Sequence, residues 1–151
     1  MKVMIALDDS LYSNQIIKGV LKRPWPANCE FKLITVLEPL HLNVEERQKK
    51  MVSEVQEMRR EAARQYMTDV KKEFDKFAGS KVHFEIREGT PSREIIDSAV
   101  EWEPDRIVVG AFGRGSKERK NTAALGSTSQ TVATHSPCTV EVIREPVPVK
   151  V

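Results

Sequence analysis

Cysteine is scarce in this chain, with two residues, Cys29 and Cys138, in 151. They stand far apart and neither has a CxxC partner. That excludes a disulfide framework and a zinc ribbon, and it points to a reducing compartment. An excess of one charge is also missing. Lys and Arg number 24 against 22 Asp and Glu, a net of +2. Nothing electrostatic therefore argues for nucleic acid or an anionic membrane surface as partner. No apolar run approaches the roughly 20 residues that span a bilayer. The opening Met1-Lys2-Val3-Met4-Ile5 lacks the apolar core and cleavage site of a signal peptide, so the expected location is cytoplasmic. His41, His83 and His135 show no metal-ligand spacing, and no Ser/His/Asp set can be assembled. Internal repeats and low-complexity segments are absent as well.

What is present is a regular alternation. Val3-Met4-Ile5-Ala6-Leu7 is a short apolar run closed by Asp8-Asp9-Ser10, as expected of a strand buried on both faces. Ile16, Ile17, Val20 and Leu21 recur at helical spacing within 11–22, and Pro24 and Pro26 stop that helix. A second strand is expected over 31–37. The stretch 43–78 reads as one long helix. Met51, Val55, Met58, Ala62, Tyr66, Val70, Phe74 and Phe77 form a single apolar stripe on it. Its methionines are expected as core filler. The stripe fits a coiled coil, or a helix longer than its sheet with one end projecting. A third strand follows over 82–86. Thr90 then serves as N-cap and Pro91 as first helical residue, with Ile95, Ile96, Ala99 and Trp102 as the apolar face. Strand 106–109 ends at Gly110, helix 126–135 stops at Ser136-Pro137, and strand 139–143 completes the order.

Strict β-α alternation implies right-handed crossovers and an open parallel sheet covered by helices on both faces. The domain is expected over 1–145, with 146–151 as an extended tail. Ligands of such sheets sit beyond the carboxyl ends of the strands, where strand order reverses. Attention therefore falls on Asp8-Asp9-Ser10, Val36 to Glu38, Gly89 and Gly110 onward. The segment from Gly110 to Ser127 fails two phosphate motifs. Ser116-Lys117 is in the wrong order for a P-loop, and Gly113-Arg-Gly115 lacks the third glycine of a dinucleotide fingerprint. What survives is a set of glycines after a strand, then Gly126-Ser127-Thr128-Ser129 opening a helix. Helix amides and hydroxyls there favour an anion. Capping by Ser127 or Thr128 is the competing reading. Asp8 suits ribose hydroxyls or a metal ion, but equally a turn or a cap, a role for which Ser10 and Ser13 compete. Arg114, Lys117, Arg119 and Lys120 read as a solvated loop or as a phosphate-steering one.

Taken in order, these pieces resemble the universal stress protein family over nearly the whole chain. The resemblance rests on Val3 to Ser10, on Gly89-Thr90-Pro91 with Ile95 and Ala99, and on Glu103 to Gly110. It continues through Gly126-Ser127 and His135 to Val140. It implies a Rossmann-like, adenine nucleotide alpha hydrolase-like sheet of five strands in the order 3-2-1-4-5. It also implies a homodimer joined through the last strand at Val140 and Val142. Many members bind ATP through G-x2-G-x9-G-[ST]. Carried over, Asp8 would hold the ribose and the Val36 backbone would meet the adenine. Gly110 and Gly113, then Gly126, Ser127, Thr128 and Ser129, would hold the phosphates, with Ala6, Leu7 and Val109 also at the nucleotide and Mg²⁺ arriving on it. This chain departs from the pattern in having twelve residues between Gly113 and Gly126, and Phe112 where His or Arg is frequent. The implied function is a dimeric ATP-binding regulatory module with at most slow hydrolysis. The alternative is a member that has lost ATP and works through protein partners docked on helix 43–78.

Overall fold

In the computed structural model, which describes residues 1–8, 11–40, 43–76, 81–111 and 125–144, alternate residues of the central strands feed two separate cores. The strands are β1 (Lys2–Ala6), β2 (Glu30–Leu37), β3 (Lys81–Glu88), β4 (Arg106–Gly110) and β5 (Thr139–Ile143). The helices are α1 (Leu11–Leu21), α2 (Lys49–Asp75), α3 (Pro91–Trp102) and α4 (Ser127–His135). All strand pairs are parallel, and the sheet order is β3-β2-β1-β4-β5. This is the α/β architecture and strand order expected from the sequence. The tail 146–151 lies outside the described residues.

Side chains alternate across a strand, so a strand buried on both faces serves two cores at once. Val3, Ile5, Phe31, Leu33 and Val108 meet Ile16 and Val20 of α1 and Met67, Val70 and Phe74 of α2. Met4, Ile34, Ile107 and Val109 point the other way, toward Ile95 and Ala99 of α3 and Val132 of α4. Aromatic stacking anchors the first core. Phe31 lies 5.5 Å from Phe74 and edge-on to Trp25 at 5.4 Å between ring centres. Trp25 also donates its indole N–H to the Val20 carbonyl at 2.9 Å, which satisfies the polar atom that burial would otherwise strand.

The long helix differs from the expectation in two respects. It begins at Lys49, preceded by a single 3-10 turn over Glu46–Gln48. There the Gln48 N–H donates to the Glu45 carbonyl, and the Glu45 N–H to Gln48 Oε1, which closes the chain before the α-helix starts. Residues 77 and 78 lie outside the described residues. The stripe also divides. Met67, Val70 and Phe74 are buried, whereas Met51, Val55 and Met58 are exposed. Length and helical phase explain the division. A helix of 27 residues is about 40 Å long, while the eight-residue strands beside it reach about 26 Å. The first turns of α2 therefore run past the strand ends, and Met51, Val55 and Met58 lie about 120° around the helix from Met67, Val70 and Phe74, so Met51 and Met58 are not core filler.

The α3 side of the edge strand β3 carries charge instead of hydrocarbon. Lys32, only 9% exposed, places its ammonium 2.6 Å from Glu85. Ser98 of α3 donates to the same carboxylate at 2.9 Å, and Arg87 bridges Glu85 to Glu101. Burial raises the Glu85 pKa, but hydrogen bonds from Lys32, Arg87 and Ser98 outweigh it and hold the carboxyl at about 2. Inward-pointing charges of this kind also discourage a further strand from adding to the edge.

Two measurements check this partition. Phe74→Ala should cost about 3–5 kcal/mol in urea unfolding and Met58→Ala less than about 0.5, because only the first opens a cavity. Glu85→Gln should cost about 3 kcal/mol by leaving Lys32 buried and uncompensated, while Lys32→Met should stay within about 1 kcal/mol of the parent. The Glu85 contribution is complete above the ordinary carboxyl value of 4.5 and is lost as pH falls toward about 2. The acid-side slope of stability should therefore flatten in Glu85→Gln.

Candidate nucleotide site

Parallel strands joined by helices place all their carboxyl ends on one edge of the sheet. β1 and β4 are neighbours there, and their outgoing connections run to opposite faces. In open parallel sheets the ligand crevice lies at such a reversal. Its floor on the β1 side is Ala6, Leu7 and Asp8. Ala6 and Asp8 are half-buried, Leu7 is buried, and the Leu7 N–H donates to the Ile34 carbonyl at 2.8 Å.

Asp8 is held in place by α1. Its N–H donates to Ser13 Oγ at 2.8 Å, and Ser13 Oγ donates to Asp8 Oδ1 at 2.9 Å. Ser13 is fully enclosed. Sequence reading treated Ser13 as a rival for capping, but the structure makes it the residue that orients the Asp8 carboxylate. The five-residue spacing across the strand-to-helix turn was the available signal. Asp9 and Ser10 lie outside the described residues.

On the β2 side, Val36 is half-buried at the strand end. The next residue, Leu37, accepts a hydrogen bond from the Gly89 N–H at 3.0 Å. Gly89 adopts φ +148, and a Cβ there would meet Glu94 Oε1 at 2.8 Å, so this tight turn requires glycine. Thr90 takes the N-cap position of α3 without a side-chain cap bond, and Pro91 follows as the first helical residue.

On the β4 side, Val109 is buried and Gly110 half-buried. The chain returns at Gly126, whose N–H donates to the Ala111 carbonyl at 2.7 Å. Gly126 is the N-cap of α4 and has no side chain to cap with. Neither Ser127 nor Thr128 takes the cap position. The first-turn amides of α4 therefore stand at the carboxyl edge without a side-chain cap, where they and the helix dipole favour an anion. Ser127 is exposed and Thr128 half-buried. Ser129 differs from both, because its buried hydroxyl donates to Ala111 O at 2.9 Å and Gly126 O at 3.1 Å. It fastens α4 to the end of β4. Gly113, Phe112 and the basic residues 114–120 lie outside the described residues.

The opposite edge has a different character. His83 packs edge-on against Trp102 at 5.4 Å, and burial lowers its pKa, so the imidazole is neutral at physiological pH. Among the described residues no group of three or more His, Cys, Asp and Glu side chains is placed to hold a metal ion. No helix among them is long and apolar enough to cross a membrane.

The fold has known counterparts. A curated relative, universal stress protein MJ0531 of Methanocaldococcus jannaschii, is 33% identical over 92 residues, 61% of this chain and 52% of its own length. The match thus spans about half of that relative. Among solved structures, universal stress protein UspA from Lactobacillus plantarum superposes with a TM-score of 0.80 at 23% identity, covering 95% of this chain and 97% of its own. Hypothetical protein MJ0577 gives 0.78 at 25%, with 96% of each chain covered. Two more distant structures share the fold. One is a universal stress protein in complex with cAMP (TM-score 0.59, 20% identity, 95% and 96% covered). The other is an Arabidopsis thaliana family protein with AMP bound (0.57, 16%, 99% and 94% covered). The family model for universal stress proteins matches residues 1–144, and the chain belongs to that family.

Proposed function

We propose that this chain binds an adenine nucleotide, ATP with Mg²⁺, at the carboxyl edge of the sheet and acts as a dimeric regulatory module. The observation that carries the reading is the glycine cap of α4 beside the end of β4, a cap residue that has no side chain to offer the first-turn amides. The α-amino end of a helix is a ready site for phosphate. Asp8, oriented by Ser13, would take the ribose hydroxyls, and the strand-end backbone at Val36 the adenine. Gly110, Gly126, Ser127 and Thr128 would hold the phosphates. Ser129 would shape that cradle through its bond to Ala111. The magnesium ion would offset phosphate charge. Family members solved with cAMP and with AMP support the ligand class.

The dimer reading rests on β5. Among the described residues this strand pairs only with β4, which makes Thr139 to Ile143 a five-residue sheet edge. Val140 and Val142 pack inward on the α3–α4 core, so pairing of a second copy would use backbone groups rather than these side chains.

Calorimetry should detect ATP·Mg binding to the parent chain. Gly126 has φ −67 and ψ 165, a conformation open to valine, but it is buried, so Gly126→Val, once circular dichroism shows it folded, should bind at least tenfold more weakly. Asp8→Ala should weaken binding by about tenfold or more, the loss of a charged hydrogen bond. No heat at millimolar ATP with Mg²⁺ would overturn the ligand, and unchanged affinity in Gly126→Val would overturn its placement. Sedimentation equilibrium should give twice the chain mass of 17.1 kDa. A monomer at all concentrations would contradict the β5 pairing.

A further inference from the structure

We propose that Arg59 of α2 is a positioning residue for the base of the nucleotide: it holds the end of β2 at Glu38, so that the Val36 backbone stands where a base edge can be read. This inference rests on the nucleotide reading above and adds to it the element that sets base selectivity. Arg59 Nη1 donates to the Glu38 carbonyl at 2.8 Å and to Gln56 Oε1 at 2.7 Å. Gln56 Nε2 in turn donates to Glu88 Oε1 at 2.8 Å, and Arg60 grips the same carboxylate with Nε at 2.8 Å and Nη2 at 3.2 Å. One turn of α2 thus clasps the ends of two neighbouring strands, and the Gly89 N–H joins those ends through the Leu37 carbonyl at 3.0 Å.

Helical phase makes the clasp part of the sheet-facing side of α2. At about 100° per residue, Gln56, Arg59 and Arg60 fall on the face that carries Met67, Val70 and Phe74. Where the strands run out, polar side chains replace hydrocarbon on that face and meet the strand ends instead. All three are half-buried. Pro39 ends the β2 ladder, because it has no N–H to offer and disfavours helical geometry at Glu38. The Glu38 carbonyl takes its partner from a side chain, and a bond from a guanidinium is charge-assisted.

The register of the sheet gives that strand end its chemistry. β2 runs past β1, whose last pairing is Ala6 with Ile34. The Leu7 N–H reaches the Ile34 carbonyl, whereas the Gly89 N–H reaches the Leu37 carbonyl, so even-numbered residues of β2 direct their backbone groups toward β1 and odd-numbered ones toward β3. Val36 follows Ile34 by two, and its N–H and C=O point to the β1 side beyond the end of β1. A donor and an acceptor side by side suit the adenine edge, and guanine carries an acceptor where adenine has its amino donor. Arg59 acts through Glu38, two residues from Val36, rather than on the nucleotide itself.

The test compares Arg59→Ala, Arg59→Lys and Met58→Ala, the last an exposed position on the same turn that the clasp does not use. Circular dichroism should show all three folded. In the nucleotide-free chain, the Gly89 amide of Arg59→Ala should exchange its hydrogen about tenfold faster than the parent's, because the strand ends open more often. In calorimetry Arg59→Ala should bind ATP·Mg about fivefold more weakly, and its preference for ATP over GTP should fall by about the same factor. Magnesium tripolyphosphate, which has no base, should bind as it does to the parent. Arg59→Lys keeps a cationic donor and should return both readouts to within about twofold of the parent. Met58→Ala should match the parent throughout. Unchanged Gly89 exchange in Arg59→Ala would overturn the clasp. An unchanged preference for ATP over GTP, or an equal loss for tripolyphosphate, would overturn the positioning role and leave the nucleotide site standing. No binding of ATP·Mg by the parent would overturn the nucleotide reading itself, and the role of Arg59 with it.

Discussion

Parallel strands cannot be joined by tight turns, because each must be re-entered from the same end. In this chain every connection therefore carries a helix, and every strand delivers its carboxyl end to one edge. Between β1 and β4 the connections leave for opposite faces, and a crevice forms without any residue being spent to make it. The residues that matter there, Asp8, Val36, Gly110 and Gly126, belong to the ends of three strands, β1, β2 and β4, and share one edge only because the sheet is parallel. The two cores secure this frame by burying alternate residues of the same strands.

The crossover requirement also explains where polar chemistry accumulates. At the edge strand β3 the hydrocarbon supply from α3 runs out, and a buried lysine, two carboxylates and an arginine take over. At the site the same economy appears in miniature. Ser13 and Ser129 are both buried, and each spends its hydroxyl on positioning a neighbour: Ser13 holds Asp8, and Ser129 holds Ala111 against the α4 cap. The crevice thus rests on hydrogen bonds that cross from helix to strand end on each side of the reversal. The helix α2 exceeds what coverage of the sheet demands, and its surplus carries an apolar stripe into solvent.

Much of this was legible in the amino-acid order. Buried strands announce themselves as short apolar runs, and Thr90-Pro91 and Ser136-Pro137 mark helix boundaries by local steric rules that need no tertiary context. The sheet order followed from the family resemblance, and the structure has that order. The limits are equally physical. Met51 and Met67 sit on one helix with similar neighbours, but the drift of the apolar stripe around α2 turns Met67 toward the sheet and Met51 away from it. Periodicity identifies a face but not what covers it. In the sequence Ser129 is one of three equivalent hydroxyls, and only its bond to Ala111 sets it apart. That contact spans 18 residues of chain. The start of α2 moved to Lys49 because a side-chain bond from Gln48 back to Glu45 outweighs the helical periodicity ahead of it.

The account stands on the claim that the crevice between β1 and β4 is where a nucleotide lies. Titration of uniformly ¹⁵N-labelled protein with ATP·Mg tests this residue by residue. The amides of Leu7, Asp8, Leu37, Gly110, Ser127 and Thr128 should shift together and saturate at one affinity, while those around Trp102 and His83 at the other edge stay still. Shifts centred on Trp102, or scattered without saturation, would contradict it.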